Sequence, residues 1–214
     1  MKPEQVLIMS KNRVEALSDG VIAIILTLLI LEIKIPEIHT TSNSVMLHEL
    51  SDKIPLFITY FLSFAVISMF WISHHFLFAF GVKNVDRIVV LLNFLSLAAL
   101  SIIPFSSHFL GSHLDNSIAS AFYGFNMLAV SFSFMFLYTY IWKSDSIING
   151  ELSSRTKKQG KIRQALNIGF NTLGIIFSFI YIPLALFCYL FPVFFNIIPG
   201  LLNFTEKMLG ITIE

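Results

Sequence analysis

Long apolar runs separated by short polar connections dominate the chain. The first run covers 13–35 and meets Pro36, which has no N–H to donate and restricts the residue before it. Further runs cover 54–80, 88–108 and 118–142, with Pro104 expected to kink the outer part of the third. From 164 to 204 the chain stays apolar for about 40 residues, too long for one bilayer crossing, and Pro183 interrupts it. The pattern there predicts two helices, 164–182 and 184–204, with a tight turn between them. Hydrocarbon offers the backbone no hydrogen-bond partners, so runs of about 20 residues are helices, whereas barrel strands would alternate over about ten. The expected architecture is an all-α integral membrane protein with six transmembrane helices over 13–204. It is flanked by a cytoplasmic N-terminal segment, 1–12, and a cytoplasmic tail, 205–214.

Composition agrees with this reading. Hydrophobic residues make up 56% of 214, roughly 120 residues, about what six spans of 20 require. Charged residues are 13%, about half the usual share, and mean hydropathy is +0.78, which excludes a soluble enzyme. A net charge of +1 with no block of basic residues excludes nucleic acid as a partner. The single cysteine, Cys188, leaves no internal disulfide and no cysteine-based metal site. Near the start only four consecutive residues are apolar, too few for a signal-peptide core, so the first span is expected to stay in the protein. Of 14 Lys and Arg, Lys34 and Lys53 alone fall in the connections expected outside. The positive-inside rule therefore puts both termini in the cytoplasm of a multi-pass cell-membrane protein. The 143–163 stretch is the one long polar connector, and its basic residues serve most simply as orientation signals or lipid contacts.

The informative residues are the polar ones within the spans, because each costs a few kcal/mol in hydrocarbon unless it is partnered. Ser18 and Asp19 lie about 9 Å into the first helix, counted from Arg13. His74 and His75 fall at a similar depth on the second span, Asn93 on the third, and Asn167 and Asn171 near the inner end of the fifth. One shallow layer of hydrogen bonds on the cytoplasmic side is expected, with an ionised Asp19 accepting from Ser, His and Asn donors. An intramembrane hydrolase is a poor alternative, since Ser18 and Asp19 point about 100° apart on one helix and no strained elbow exposes the serine. Adjacent histidines diverge likewise, so they cannot share a metal or haem. A second signal lies deeper in the first helix. Gly20, Ile24, Thr27 and Leu31 recur at i, i+4, i+7 and i+11, which forms one stripe. It is read either as a packing or lipid-facing surface, with the Thr27 hydroxyl bonding back to its own helix, or as a lining.

The stretch RVEALSDGVIAIILTLLILEI from Arg13, with Trp71-x-x-His-His in the second span and Leu-Leu-Asn93-x-Leu-Ser in the third, resembles the transmembrane protein 175 family. These are potassium channels of endosomes and lysosomes, with shorter prokaryotic relatives. The resemblance covers essentially the whole chain; the family's Phe before Ser-Asp is Leu17 here. It implies a homotetramer of six-helix subunits around a pore lined by the first helix, without a Thr-Val-Gly-Tyr-Gly filter. Carried over by residue, Ile24, Thr27 and Leu31 match the pore constriction, and Arg13, Ser18 and Asp19 match an inner motif packed on Trp71, His74 and Asn93. Potassium is then the permeant ion, with no cofactor and no metal beyond ions in transit.

A ring of four Ile24 side chains would form a hydrophobic constriction, and four Thr27 hydroxyls could replace part of an ion's hydration shell, giving moderate selectivity for potassium. Ile25, about 100° around the helix, is expected to tolerate Ala with little change in flux. The rival reading is a secondary transporter or proton-coupled carrier with a relay of Asp19 and His74 or His75.

Overall fold

Residues 10–34, 42–144, 146–148 and 154–197 are described by a computed structural model of the chain. They form helices α1 (Lys11–Leu31), α2 (Asn43–Ser51), α3 (Ile54–Phe76), α4 (Arg87–Ser101), α5 (Ile103–Ser112), α6 (Ser117–Lys143), α7 (Ser154–Ser178) and α8 (Ile182–Ile197). By length and composition four segments could cross a membrane: Lys11–Leu31, Ile54–Gly81, Arg87–Ser112 and Ser117–Lys143. The protein is thus an all-helical, multi-pass membrane protein. The stop expected at Pro36, the tails 1–9 and 205–214, and the end of the last span near 204 lie outside the described residues.

Local chemistry explains the element ends. α1 stops at Leu31, where Glu32 and Lys34 bring charge to the chain. α3 opens with a proline in its first turn, where the missing N–H costs nothing, and its last turn, Leu77–Gly81, widens to a π-helix. Asp86 caps α4 by accepting from the Val89 amide at 2.8 Å, and Asn116 caps α6 by accepting from the Ile118 amide at 2.8 Å. Pro104 cannot donate to the preceding turn, and the third apolar run breaks at Ile102 into α4 and α5, at the expected place. The turn between α7 and α8 is Phe179 to Tyr181, with Pro183 in the first turn of α8.

Two elements differ from the sequence pattern. α7 begins at Ser154, inside the stretch read as a polar connector, because Arg155, Lys157, Lys158, Gln159 and Lys161 are good helix formers whatever their polarity. Tertiary contacts hold that extension: the Tyr138 hydroxyl donates to the Lys157 carbonyl at 3.0 Å, and Gly160 lets the same ring approach the α7 backbone. The short helix α2 lies in the connection between the first two apolar runs, to which the sequence pattern assigned no element.

The helices pack around α6, which contacts α4, α5, α7 and α8. Buried residues make up 61% of its most apolar window, against 28% for α1, which rests at the edge on α3, α4 and α5. Between α6, α7 and α8 the Tyr189 ring enters where Gly124 and Gly174 leave room. Its hydroxyl donates to the Ser120 carbonyl at 3.1 Å and lies 3.1 Å from Ser178 Oγ, which is itself 2.7 Å from Ser120 Oγ. A methyl group at Gly174 would overlap that ring, and forced repacking of a filled core costs about 1–3 kcal/mol. Gly174→Ala is therefore expected to lower the thermal unfolding midpoint in detergent. Gly169→Ala, where nothing lies within 4 Å, should hold or raise it, since Ala is the better helix former.

Candidate functional site: the first helix and its polar anchor

The polar residues near the starts of α1 and α4 and the end of α3 meet, and they do so as two separate sets. Asn93 Nδ2 donates to Ser18 Oγ at 2.9 Å, and Ser18 Oγ donates in turn to the Val14 carbonyl at 2.8 Å. With its amide nitrogen committed as donor, Asn93 presents Oδ1 as acceptor to His74 Nε2 at 2.9 Å. The imidazole must then carry its proton on Nε2. The result is a directed chain of three hydrogen bonds, His74 to Asn93 to Ser18 to Val14. Ser18, His74 and Asn93 are all buried, and the imidazole stacks on Phe78 at 4.4 Å between centroids.

Asp19 stands outside this chain. It is exposed and accepts from Trp71 Nε1 at 2.9 Å, while Trp71 also stacks on the exposed His75 at 5.7 Å. The sequence had suggested Asp19 as the common acceptor. That role falls to the Asn93 amide, because the Asp19 carboxylate, one residue on from Ser18, turns about 100° away from the face that packs. Arg13 is exposed in the first turn of α1. Among the described residues no hydrogen bond joins Asp19 to His74 or His75, so a direct relay between them has no geometric support. Nor do three or more of His, Cys, Asp and Glu gather there at metal-binding spacing.

Asn167 and Asn171 belong elsewhere. Asn171 Nδ2 donates to Ser131 Oγ at 3.0 Å, and Asn167 Oδ1 accepts from Asn196 Nδ2 at 3.0 Å, so these residues join α7 to α6 and α8. One contact at this end of the bundle was missed altogether: Tyr140 donates to Asp86 Oδ2 at 2.6 Å, tying α6 to the cap of α4. A tyrosine in an apolar run with a helix-capping aspartate is only a weak sequence signal, since both residues have commoner local roles.

The deeper half of α1 divides cleanly into two faces. Ser18, Ile22, Ile25 and Leu29 are at most 2% exposed and pack on the bundle. Gly20, Ile24, Thr27 and Leu31 lie on the opposite side, all exposed, with Ile24 at 59% and Leu31 at 68%. At about 100° per residue the two sets point nearly 180° apart. Thr27 donates its hydroxyl proton to the Ile24 carbonyl at 2.8 Å, which turns the oxygen lone pairs outward.

Comparisons with known proteins agree with one another. The sequence profile of the family described as endosomal/lysosomal potassium channel TMEM175 matches residues 13–104. A potassium channel of Streptomyces collinus is 32% identical over 82% of this chain and 85% of its own length. One from a Chryseobacterium species is 32% identical over 89% of this chain and 94% of its own. The crystal structure of a lysosomal potassium-selective channel TMEM175 homologue from Chamaesiphon minutus superposes with a TM-score of 0.71 at 26% identity, covering 86% of this chain and 95% of that one.

Removing the shared amide should cost more than removing the charge beside it. Asn93→Ala leaves the buried His74 Nε2–H without an acceptor, a loss of about 1–3 kcal/mol. Asp19→Ala deletes one hydrogen bond at an exposed position and leaves no buried group unpaired, so its cost is smaller. Thermal unfolding of both variants in detergent is expected to rank Asn93→Ala below Asp19→Ala. The reverse order would mean that the carboxylate is the true anchor.

Proposed function

The chain belongs to the TMEM175 family of potassium channels, and we propose that it conducts potassium through a pore that four copies line with the Ile24, Thr27 and Leu31 face of α1. It is a potassium channel, membrane-embedded and multi-pass, and not an enzyme. The observation that carries the pore reading is the exposed stripe lying directly opposite the packed face of the least buried span. A subunit that keeps its first helix at the edge cannot enclose a passage alone, whereas a closed ring of copies brings equivalent stripes to a common axis.

In that assembly Ile24 supplies a narrow apolar ring whose wetting governs conduction. Thr27 lies nearly one turn outward, and Leu31 one turn further. With its proton held by the Ile24 carbonyl, the Thr27 hydroxyl offers oxygen lone pairs to a passing ion. Four such oxygens replace only part of a hydration shell, which favours potassium, the more easily dehydrated ion, by a moderate margin. Arg13, Ser18, Asp19, Trp71, His74 and Asn93 form the anchor that sets how α1 stands, not the conduction path itself. Two further crossings, by the apolar part of α7 and by α8, bring the subunit to six. Both termini then lie on the side of the basic loops, in the cytoplasm of a cell whose surface membrane holds the channel.

Potassium flux into liposomes tests the lining. Ile24→Ala is expected to raise cation flux and lower discrimination between potassium and sodium. Thr27→Val keeps the shape and loses selectivity. Ile25 packs in the core at 2% exposure, so Ala there opens a cavity and is no neutral control. Ile30, 43% exposed and off the stripe, is the better one, and Ile30→Ala should leave flux unchanged. Equal behaviour of the Ile24 and Ile30 variants would make the stripe a lipid-facing surface. Chemical cross-linking in detergent should stop at four subunits; a ladder ending at two or three would overturn the tetramer.

A further inference from the structure

A cavity of about 350 Å³ opens at the end of the bundle that carries the basic loops, between the inner turns of α3 and α6, the start of α7 and the end of α8. Its chemistry is unusual for a membrane protein interior. Of the four buried side-chain polar atoms without a hydrogen-bond partner among the described residues, three belong to residues lining this space: Arg163 Nε, Gln164 Oε1 and Trp142 Nε1, the last beside the Tyr138 hydroxyl but outside hydrogen-bonding geometry. Two of these atoms donate and one accepts. Gln164 is 93% buried, so bulk water does not satisfy it. Arg163 has no carboxylate at ion-pair distance among the described residues; its one described hydrogen bond goes from Nη1 to the Asn196 carbonyl at 3.3 Å. Lys157, next to the lining residue Thr156 but not itself in the lining, holds its ammonium 5.1 Å from the Trp142 ring centroid.

The opposite wall is apolar. Ile72 and Phe76 of α3 line the cavity while remaining 41% and 46% exposed, so the space opens beside a surface that acyl chains would cover. The volume equals that of roughly ten waters, yet neutral water brings no charge to meet Arg163, which has no carboxylate partner among the described residues.

We propose that this cavity binds the headgroup of an anionic glycerophospholipid that carries a free hydroxyl, of the phosphatidylglycerol type. A phosphodiester oxygen accepts from Arg163 Nε and from Trp142 Nε1, which are charge-assisted and directional donors. The headgroup hydroxyl donates to Gln164 Oε1, and the glycerol ester and first acyl carbons rest on Ile72 and Phe76. A zwitterionic choline headgroup meets the Arg163 guanidinium with its own positive charge and has no proton to give Gln164.

The full-length protein, stripped of lipid in detergent, is titrated with phosphatidylglycerol, phosphatidylcholine or soluble glycerol 3-phosphate, and bound species are counted by native mass spectrometry. One phosphatidylglycerol per chain is expected to bind at least tenfold more tightly than phosphatidylcholine, with glycerol 3-phosphate far weaker than the lipid. Trp142→Phe, which keeps the ring and removes the N–H, and Arg163→Gln should each weaken phosphatidylglycerol about tenfold, with phosphatidylcholine binding and elution volume unchanged. Equal binding of the two lipids, or wild-type affinity in both variants, overturns the site. Glycerol 3-phosphate binding as tightly as the lipid would reassign it to soluble phosphate esters. None of these readouts depends on ion conduction.

Discussion

The Asn93 amide is the contact on which the placement of the first helix depends. α1 is apolar almost all the way round, and lipid tails are as apolar as a protein interior, so hydrophobic burial does little to choose which face turns inward. Ser18 and its partners choose instead. Asn93 reaches Ser18 from α4 and receives His74 from α3, and each of these groups would otherwise sit unpaired at a depth where water cannot replace the partner. Once Ser18 faces inward, Ile22, Ile25 and Leu29 follow by helical spacing, and Ile24, Thr27 and Leu31 are left on the far side.

The remainder of the bundle uses the same device more densely. Tyr189 with Ser120 and Ser178, Asn171 with Ser131, and Asn167 with Asn196 cross-link α6, α7 and α8, where small residues let the backbones and rings approach. This leaves α6 central and α1 peripheral. That arrangement suits the proposed assembly, in which the exposed face of α1 meets other copies of the chain. The last turns of α3 serve two neighbourhoods at once: Trp71 and His74 meet α1 and α4, while Ile72, Ser73 and Phe76 line the cavity beside α7.

Much of this was legible in the sequence. Four of the apolar runs fall on the four helices long and apolar enough to cross a membrane, because the span of a helix in lipid is set by one dimension, the thickness of hydrocarbon. The stripe on α1 followed from period alone, and the polar residues inside the spans stood out because hydrocarbon tolerates so few. What only the tertiary structure decided was partnership. A hydrogen bond depends on angles and distances between helices that sequence spacing does not encode, so Asp19 pairs with Trp71 and the amide of Asn93 holds the centre. Hydropathy also could not see α7 extending through a polar stretch, since helix propensity and the Tyr138 contact act there in place of burial. The cavity with its unpaired donors lies between four chain segments far apart in sequence, and only their packing brings Trp142, Arg163 and Gln164 to one space.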